Sequence, residues 1–189
     1  MKLLFVDCCI SQRGKESRTL ALAKAYIGAF RAAHPEWEVE RADPMDLPPL
    51  TAEFLDDRDT RKGEFSAPMF AAARQFQSAD SIVVAAPYWD LSYPAQLKTY
   101  IEHISVNGLC YHYTEQGCQG DCKAEKLVYL TSGGDFEGED SVGVLHWKQL
   151  CKMFGIETFT YVFAGGMDID PVKTPELLAQ ACEKARSLV

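Results

Sequence analysis

The sequence has no long run of apolar residues, and this absence excludes a membrane-spanning helix. Hydrophobic residues make up 47% of the 189 positions, yet no stretch approaches the roughly 18 consecutive apolar residues that a span needs. The apolar start at residues 1–6 is interrupted by Asp7, and no small-residue cleavage site of a secretory signal follows it. We therefore expect a cytoplasmic protein with no membrane partner.

The sequence also has little positive charge. Its 19 lysines and arginines are outnumbered by 27 aspartates and glutamates, which gives a net charge of −8. An acidic surface has no electrostatic attraction to the phosphates of nucleic acid, so we expect no nucleic-acid partner. The length is sufficient for one well-buried domain and short for two, and we interpret residues 1–189 as a single domain.

Seven cysteines are present, an odd number in a chain without an export signal, so we expect no disulfide framework. Cys118 and Cys122 are spaced as metal ligands can be, and Cys110 and His112 lie close to them in the sequence. Reduced thiols on a hairpin are the simpler interpretation of this spacing. We predict no metal site.

Helical and strand periods alternate along the chain. The predicted strands cover about residues 2–9, 37–42, 81–86, 127–131 and 157–163, and helical patterns separate them. A hairpin-like excursion is predicted at residues 108–120, and residues 51–66 are charged, weakly periodic and left unassigned. This order predicts an α/β fold with a doubly wound parallel five-stranded sheet in three layers, α/β/α, because right-handed crossovers place helices on both faces. The flavodoxin-like strand order 2-1-3-4-5 fits the count and the length.

Three loops should meet at the carboxyl edge of this sheet, where ligands of such folds bind. The first, residues 11–19, offers hydroxyls from Ser11, Ser17 and Thr19 and the guanidinium of Arg18 before a helix, which suits a phosphate monoester. The alternative is that Ser17 only caps the helix. The loop does not match the Walker spacing of nucleotide triphosphate-binding proteins.

The other two loops suit a flat ring. Residues 87–93 are rich in tyrosine, tryptophan and leucine, against which a ring could stack. The two glycines of residues 132–135 permit close approach of a planar ligand. The plainer interpretations are aromatic packing at a dimer contact and a simple turn. Taken together, the three loops predict a site for a mononucleotide.

Three segments resemble a known family, the FMN-dependent NADH:quinone oxidoreductases and azoreductases of the flavodoxin-like fold. They are residues 86–104, 108–117 and 131–134. The resemblance implies a homodimer with one FMN per subunit, and ping-pong transfer of two electrons from NADH or NADPH to a quinone or an azo compound. It implies that the phosphate is held by Ser11, Ser17, Arg18 and Thr19, and the isoalloxazine ring by Pro87, Tyr88, Trp89, Asp90 and Leu91 on one side and Ser132, Gly133, Gly134 and Asp135 on another.

The sequence departs from the family pattern at two places. Asp90 stands where the family usually has asparagine, and the third loop lacks the arginine that some members place between Ser132 and Gly133. No catalytic side chain is assigned, because in flavin chemistry the cofactor carries the hydride. His103, His112 and His146 could serve as proton donors to a reduced quinone, and His112 is the candidate put forward.

Two other functions were weighed. Cys8 at a strand end, followed by a loop with Arg13, is similar to the thiolate cradle of a cysteine-dependent phosphatase, but one residue too few separates the two. A flavodoxin-like electron carrier without its own NAD(P)H oxidase activity would suit the acidic surface. The hairpin and residues 43–66 argue against the electron carrier, because they go beyond what such a protein needs.

Overall fold

The computed structural model describes residues 1–9, 17–136, 138 and 140–189, so the predicted phosphate ligand Ser11 lies outside the described residues. The strands are β1 (Lys2–Asp7), β2 (Glu38–Ala42), β3 (Ser81–Ala85), β4 (Tyr111–Thr114), β5 (Gly117–Gly120), β6 (Lys126–Ser132) and β7 (Thr158–Ala164). The α-helices are α1 (Arg18–Ala33), α2 (Ala52–Thr60), α3 (Ala71–Ser78), α4 (Ala95–Ile104), α5 (Val142–Phe154) and α6 (Thr174–Arg186).

The main sheet has five strands in the order β2-β1-β3-β6-β7, and every pairing is parallel. This is the predicted order 2-1-3-4-5 once the separate hairpin of β4 and β5 is set aside, and the predicted fold is confirmed. All five residues of β3 are buried, because helices cover both faces of the sheet and leave no solvent side. The sheet separates two apolar clusters, one beneath α3, α4 and α5 and the other beneath α1 and α6.

Before β3 the chain forms a 3-10 turn at Pro68–Phe70, which leads directly into α3. Helix α2 forms within residues 51–66, which are charged and only weakly periodic. None of its residues is buried, so it has no apolar stripe to reveal it. What marks its start is the N-cap Thr51, whose side chain accepts a hydrogen bond from Phe54 N at 3.1 Å.

The predicted hairpin is an antiparallel pair, β4 with β5. Its base lies against the end of α5, where Cys122 N donates to Phe154 O at 3.2 Å. Cys110 is buried, Cys122 is partly buried and Cys118 is exposed, and all three thiols are free. No group of three or more metal-ligating side chains occurs within the described residues, and none of the helices described there is long and apolar enough to cross a membrane.

Candidate functional site

The three predicted loops meet in one cleft of about 260 Å³ at the carboxyl edge of the sheet. This volume is close to the lower end of the range for ligand pockets, about 300–1,000 Å³. The cleft is lined by Cys9, Ser17, Arg18, Thr19, Pro87, Tyr88, Trp89, Ser132, Gly133, Gly134 and Asp168. Nine of these residues were predicted from the sequence.

One end of the cleft is polar, and its hydroxyls hold the loops together. Ser17 is the N-cap of α1, and its Oγ accepts a hydrogen bond from Leu20 N at 3.3 Å. The hydroxyls of Thr19 and Ser132 are 2.6 Å apart, which links the first loop to the third. Thr19 is only 2% exposed. Its hydroxyl therefore positions two walls of the cleft relative to each other.

Among the described residues, Arg18 brings a positive charge to this end. Its Nη1 donates to Asp168 Oδ1 at 2.7 Å. Asp168 follows β7 and was not predicted. The sequence contains a signal for it, because the glycine-containing segment at residues 165–168 directly follows the last strand and so lies at the same carboxyl edge.

The other end of the cleft is aromatic. Tyr88 N donates to Ser132 O at 2.9 Å, which fixes the second loop against the third. The Tyr88 ring meets Phe163 edge-on, with the ring centroids 5.3 Å apart. Trp89 is 42% exposed at the rim. A large apolar side chain at a cavity rim provides a surface on which a planar ligand can stack.

Residues 89–92 form a tight hairpin turn. Trp89 and Ser92 exchange two backbone hydrogen bonds, of 3.3 and 2.8 Å, and the two residues between them have positive φ, 50° at Asp90 and 61° at Leu91. Two successive positive φ angles are typical of a type I′ turn. A bulky leucine in this conformation costs of the order of 1–3 kcal/mol. Both side chains are exposed at the tip, and neither lines the cleft.

At the glycines of the third loop, an added Cβ would meet neighbouring side chains. A Cβ at Gly133 would lie 2.9 Å from Phe163 Cζ and 3.1 Å from Tyr88 Cδ1, and one at Gly134 would lie 2.6 Å from Asp168 Oδ2. The sequence suggested that these glycines make room for a ligand. The structure adds a different reason, which is that they make room for neighbouring side chains.

A family model for the Flavodoxin_2 family, described as having a flavodoxin-like fold, matches residues 1–189. The chain belongs to this family. A relative from Clostridium beijerinckii, named FMN-dependent NADH:quinone oxidoreductase, is 31% identical over 191 residues, which cover 98% of this chain and 96% of the relative. The resemblance seen in the sequence is thereby confirmed.

Solved structures of azoreductases share the fold of this Flavodoxin_2 protein. The azoreductase of Bacillus anthracis str. Sterne superposes with a TM-score of 0.86 at 24% identity, covering 100% of this chain and 98% of the other. An FMN-dependent NADH-azoreductase from Bacillus anthracis str. Ames Ancestor, in complex with FMN, gives 0.79 at 19% identity, covering 99% and 98%.

The thiols at the end of β1 are unsuited to nucleophilic catalysis. Burial, and then the charge of Asp7, raise the pKa of Cys8 to about 12. The same two causes raise the pKa of Cys9, which lines the cleft, even further. A cysteine-dependent phosphatase requires the opposite, a thiol whose pKa is lowered so that it is a thiolate at neutral pH. The geometry of this Flavodoxin_2 protein therefore disfavours the phosphatase.

Some predicted residues lie away from the cleft lining. Asp135 is exposed, and its carboxylate accepts from Phe136 N at 2.7 Å. His112 lies on β4, where its Nδ1 is 2.8 Å from Asp121 Oδ2. Cys9, by contrast, lines the cleft and was not predicted. Its position directly after β1 was the available signal.

Proposed function

We propose that this chain is an FMN-dependent oxidoreductase that transfers two electrons from NADH or NADPH to a quinone or an azo compound. The observation that carries the proposal is the 31% identity, over nearly its full length, to a relative named FMN-dependent NADH:quinone oxidoreductase. The cleft supports it, because one end carries hydroxyls and the guanidinium of Arg18 and the other is aromatic.

The described residues fit FMN. Ser17 and Arg18 stand where a phosphate monoester needs hydroxyl and guanidinium donors, and the N-terminus of α1 adds the favourable end of its dipole. Pro87, Tyr88 and Trp89 provide an apolar and aromatic wall for the ring system. We assign the phosphate to the first end and the ring to the second, with Ser11, Asp90, Leu91 and Asp135 kept as further predicted contacts.

FMN, when bound, supplies the hydride chemistry. The chain's own part is to bind, to orient and to exclude water. The hydrogen bonds that tie the first and second loops to Ser132 make the walls rigid before a ligand arrives. Such preorganisation holds reactants in place at little entropic cost. No acid–base pair is required, and His112 remains a predicted proton donor.

Steady-state oxidation of NADH in the presence of a quinone tests the proposal. The rate at several fixed quinone concentrations should give parallel double-reciprocal lines, which is the sign of a ping-pong mechanism. An electron carrier would hold FMN, visible in its absorbance spectrum, and would not oxidise NADH. A colourless protein that takes up no FMN would contradict both functions.

We further propose that the active unit is a homodimer in the cytoplasm. Trp89 and Leu91 project from the turn at the rim of the cleft, 42% and 67% exposed, and Val142 and Leu145 are 55% and 43% exposed one helical turn apart on α5. Exposed apolar side chains of this size are typical of surfaces that a second subunit covers. The acidic charge supports the absence of a nucleic-acid partner.

A further inference from the structure

The Arg18–Asp168 ion pair joins two distant parts of the chain at the polar end of the cleft. Arg18 begins α1 and Asp168 follows β7, so the contact connects residues 150 positions apart. Among the described residues that line the cleft, Arg18 is the one cation and Asp168 the one carboxylate. Of the described groups in the cleft, the one best suited to hold an anionic ligand is therefore already bound to an anion of the protein.

The main chain of Asp168 is held firmly, while its side chain is not. Asp168 N donates to Gly134 O and Met167 N donates to Gly133 O, both at 3.1 Å, so residues 167–168 run beside the third loop. The Asp168 side chain is 68% exposed and that of Arg18 is 32% exposed. The carboxylate can therefore turn into solvent without any movement of the backbone.

We propose that Asp168 competes with the phosphate of the cofactor for Arg18, and that it thereby lowers the affinity of the site for phosphate monoesters. A guanidinium presents the same fork of donors to a carboxylate and to a phosphate. An exposed ion pair is weak, so a phosphate displaces it, but breaking the pair reduces the net free energy that the phosphate gains from binding Arg18. The inference rests on the proposed function, and it makes Asp168 the residue that keeps the cofactor exchangeable.

Flavin binding, measured by quenching of flavin fluorescence, tests this competition. Asp168→Asn should lower the Kd of FMN about two- to fivefold, which corresponds to the strength of an exposed ion pair. The Kd of riboflavin, which has no phosphate, should not change. Asp170→Asn is the matched control, because Asp170 carries the same charge nearby, pairs with Lys173 at 3.8 Å and does not line the cleft. It should leave both dissociation constants unchanged.

The same substitution in an Arg18→Gln background separates competition from simple repulsion. Competition for Arg18 predicts that Asp168→Asn improves FMN binding much less when the arginine is absent. An undiminished improvement would mean that the carboxylate acts on the phosphate by charge alone, and would overturn the competition. Equal or weaker FMN binding by the Asp168→Asn single variant would also overturn it, because Asp168 would then be orienting Arg18 for the phosphate.

Inorganic phosphate gives a test that needs no flavin. Phosphate should raise the thermal unfolding midpoint of Asp168→Asn more than that of the unchanged protein or of Asp170→Asn, because a ligand that binds the folded state stabilises it. If neither flavin binds any variant, the proposed function fails while this comparison still decides the inference. Equal shifts in all three proteins would contradict it.

Discussion

At the scale of single residues, Asp90 places a carboxylate in the loop that carries the predicted ring contacts. Its carboxylate is exposed at the tip of the turn. A negative charge near the isoalloxazine opposes the uptake of two electrons, so Asp90→Asn should raise the two-electron potential of bound FMN. The expected shift is about 10–30 mV, since 30 mV corresponds to about 1.4 kcal/mol for such a couple.

Spectroelectrochemical titration measures this potential. Glu36→Gln is the control, because it removes one exposed charge just before β2, at the opposite edge of the sheet, and should leave the potential unchanged. A potential that stays constant or falls in Asp90→Asn would show that this carboxylate does not face the ring.

Ser17 has two separable roles, as helix cap and as predicted phosphate ligand. Ser17→Ala should lower the free energy of unfolding by about 0.5–2 kcal/mol through loss of the cap. It should also weaken FMN binding, because a hydrogen bond to a charged group is worth roughly 1.5–3 kcal/mol. Thr51→Ala removes the equivalent cap from α2 and should reduce stability only. Fluorescence titration beside urea unfolding distinguishes the two, and unchanged FMN affinity would remove Ser17 from the site.

Single residues of the cleft could be predicted where their chemistry shows in the sequence. Ser17, Arg18 and Trp89 were found because hydroxyl, guanidinium and aromatic groups follow predicted strands. Asp168 was missed because its role depends on a contact with a residue 150 positions away. The left-handed conformation of Leu91 could not be predicted either, since leucine rarely adopts a positive φ without tertiary constraint.

At the scale of elements, the docking of the hairpin depends on Gly120. A Cβ at this position would lie 1.9 Å from both Gly155 N and Phe154 C. These are backbone atoms that cannot turn aside, so Gly120→Ala should destabilise the protein by about 1–3 kcal/mol or more. Gly28, within α1, has nothing within 4 Å of an added Cβ. Gly28→Ala should stabilise the protein by about 0.5–1 kcal/mol.

Chemical denaturation measures the free energy of unfolding of both glycine variants, which should fall for Gly120→Ala and rise for Gly28→Ala. Since the substitution is the same, the difference isolates the contact at residue 120. A Gly120→Ala variant as stable as the unchanged protein would mean that the hairpin does not pack against the end of α5.

At the amino edge of the sheet, the interactions of Asp80 make the stability of the protein depend on pH. Asp80 precedes β3 and accepts hydrogen bonds from Lys2 N and Lys123 Nζ, each at 2.6 Å. The bond from Lys123, with a further contribution from Lys2 N, lowers the pKa of Asp80. A carboxyl whose pKa is lowered by folding adds stability above its unfolded value, about 3.9, and this stability is lost as the pH falls through the folded pKa.

Urea unfolding at pH 7 and pH 3 tests the contribution of Asp80. Asp80→Asn should be less stable than the unchanged protein at pH 7, and the difference should shrink at pH 3, which lies below the pKa of the carboxyl in the unfolded chain. A difference that is the same at both pH values would show that the charge of Asp80 is not responsible.

Elements with a buried face could be predicted well, and exposed ones poorly. β3 was clear because a short continuous apolar run is typical of a strand covered on both faces. None of the residues of α2 is buried, so its sequence has no clear hydrophobic periodicity. The N-cap residue Thr51 is the remaining sequence signal for this helix.

At the scale of the whole molecule, the exposed apolar side chains near the cleft predict self-association. Light scattering at micromolar concentration should give a mass near twice 21.1 kDa. Leu91→Asp, at the tip of the turn, should weaken the dimer, whereas Val172→Asp, at an exposed apolar residue before α6, is the control and should not. A monomer with full reductase activity would contradict the prediction.

The whole fold could be predicted because the alternation of strands and helices leaves few right-handed arrangements of a parallel sheet. The hairpin of β4 and β5 was also expected, and it does not disturb the order of the main strands. The exact shape of the cleft could not be predicted, because it depends on how Tyr88, Phe163 and Gly133 fit together.

The central position of β1 has a consequence for how the chain folds during synthesis. β1 is made before both of its neighbours, and its second edge stays open until β3, which ends at Ala85, has left the ribosome. Until then β1 presents an open apolar strand edge, the kind of surface that aggregates readily. Because pairing β1 with β3 means closing a loop of nearly eighty residues, we expect folding to be slow for a protein of this size. Nascent chains that end between residues 42 and 85 should therefore be the forms most in need of a chaperone.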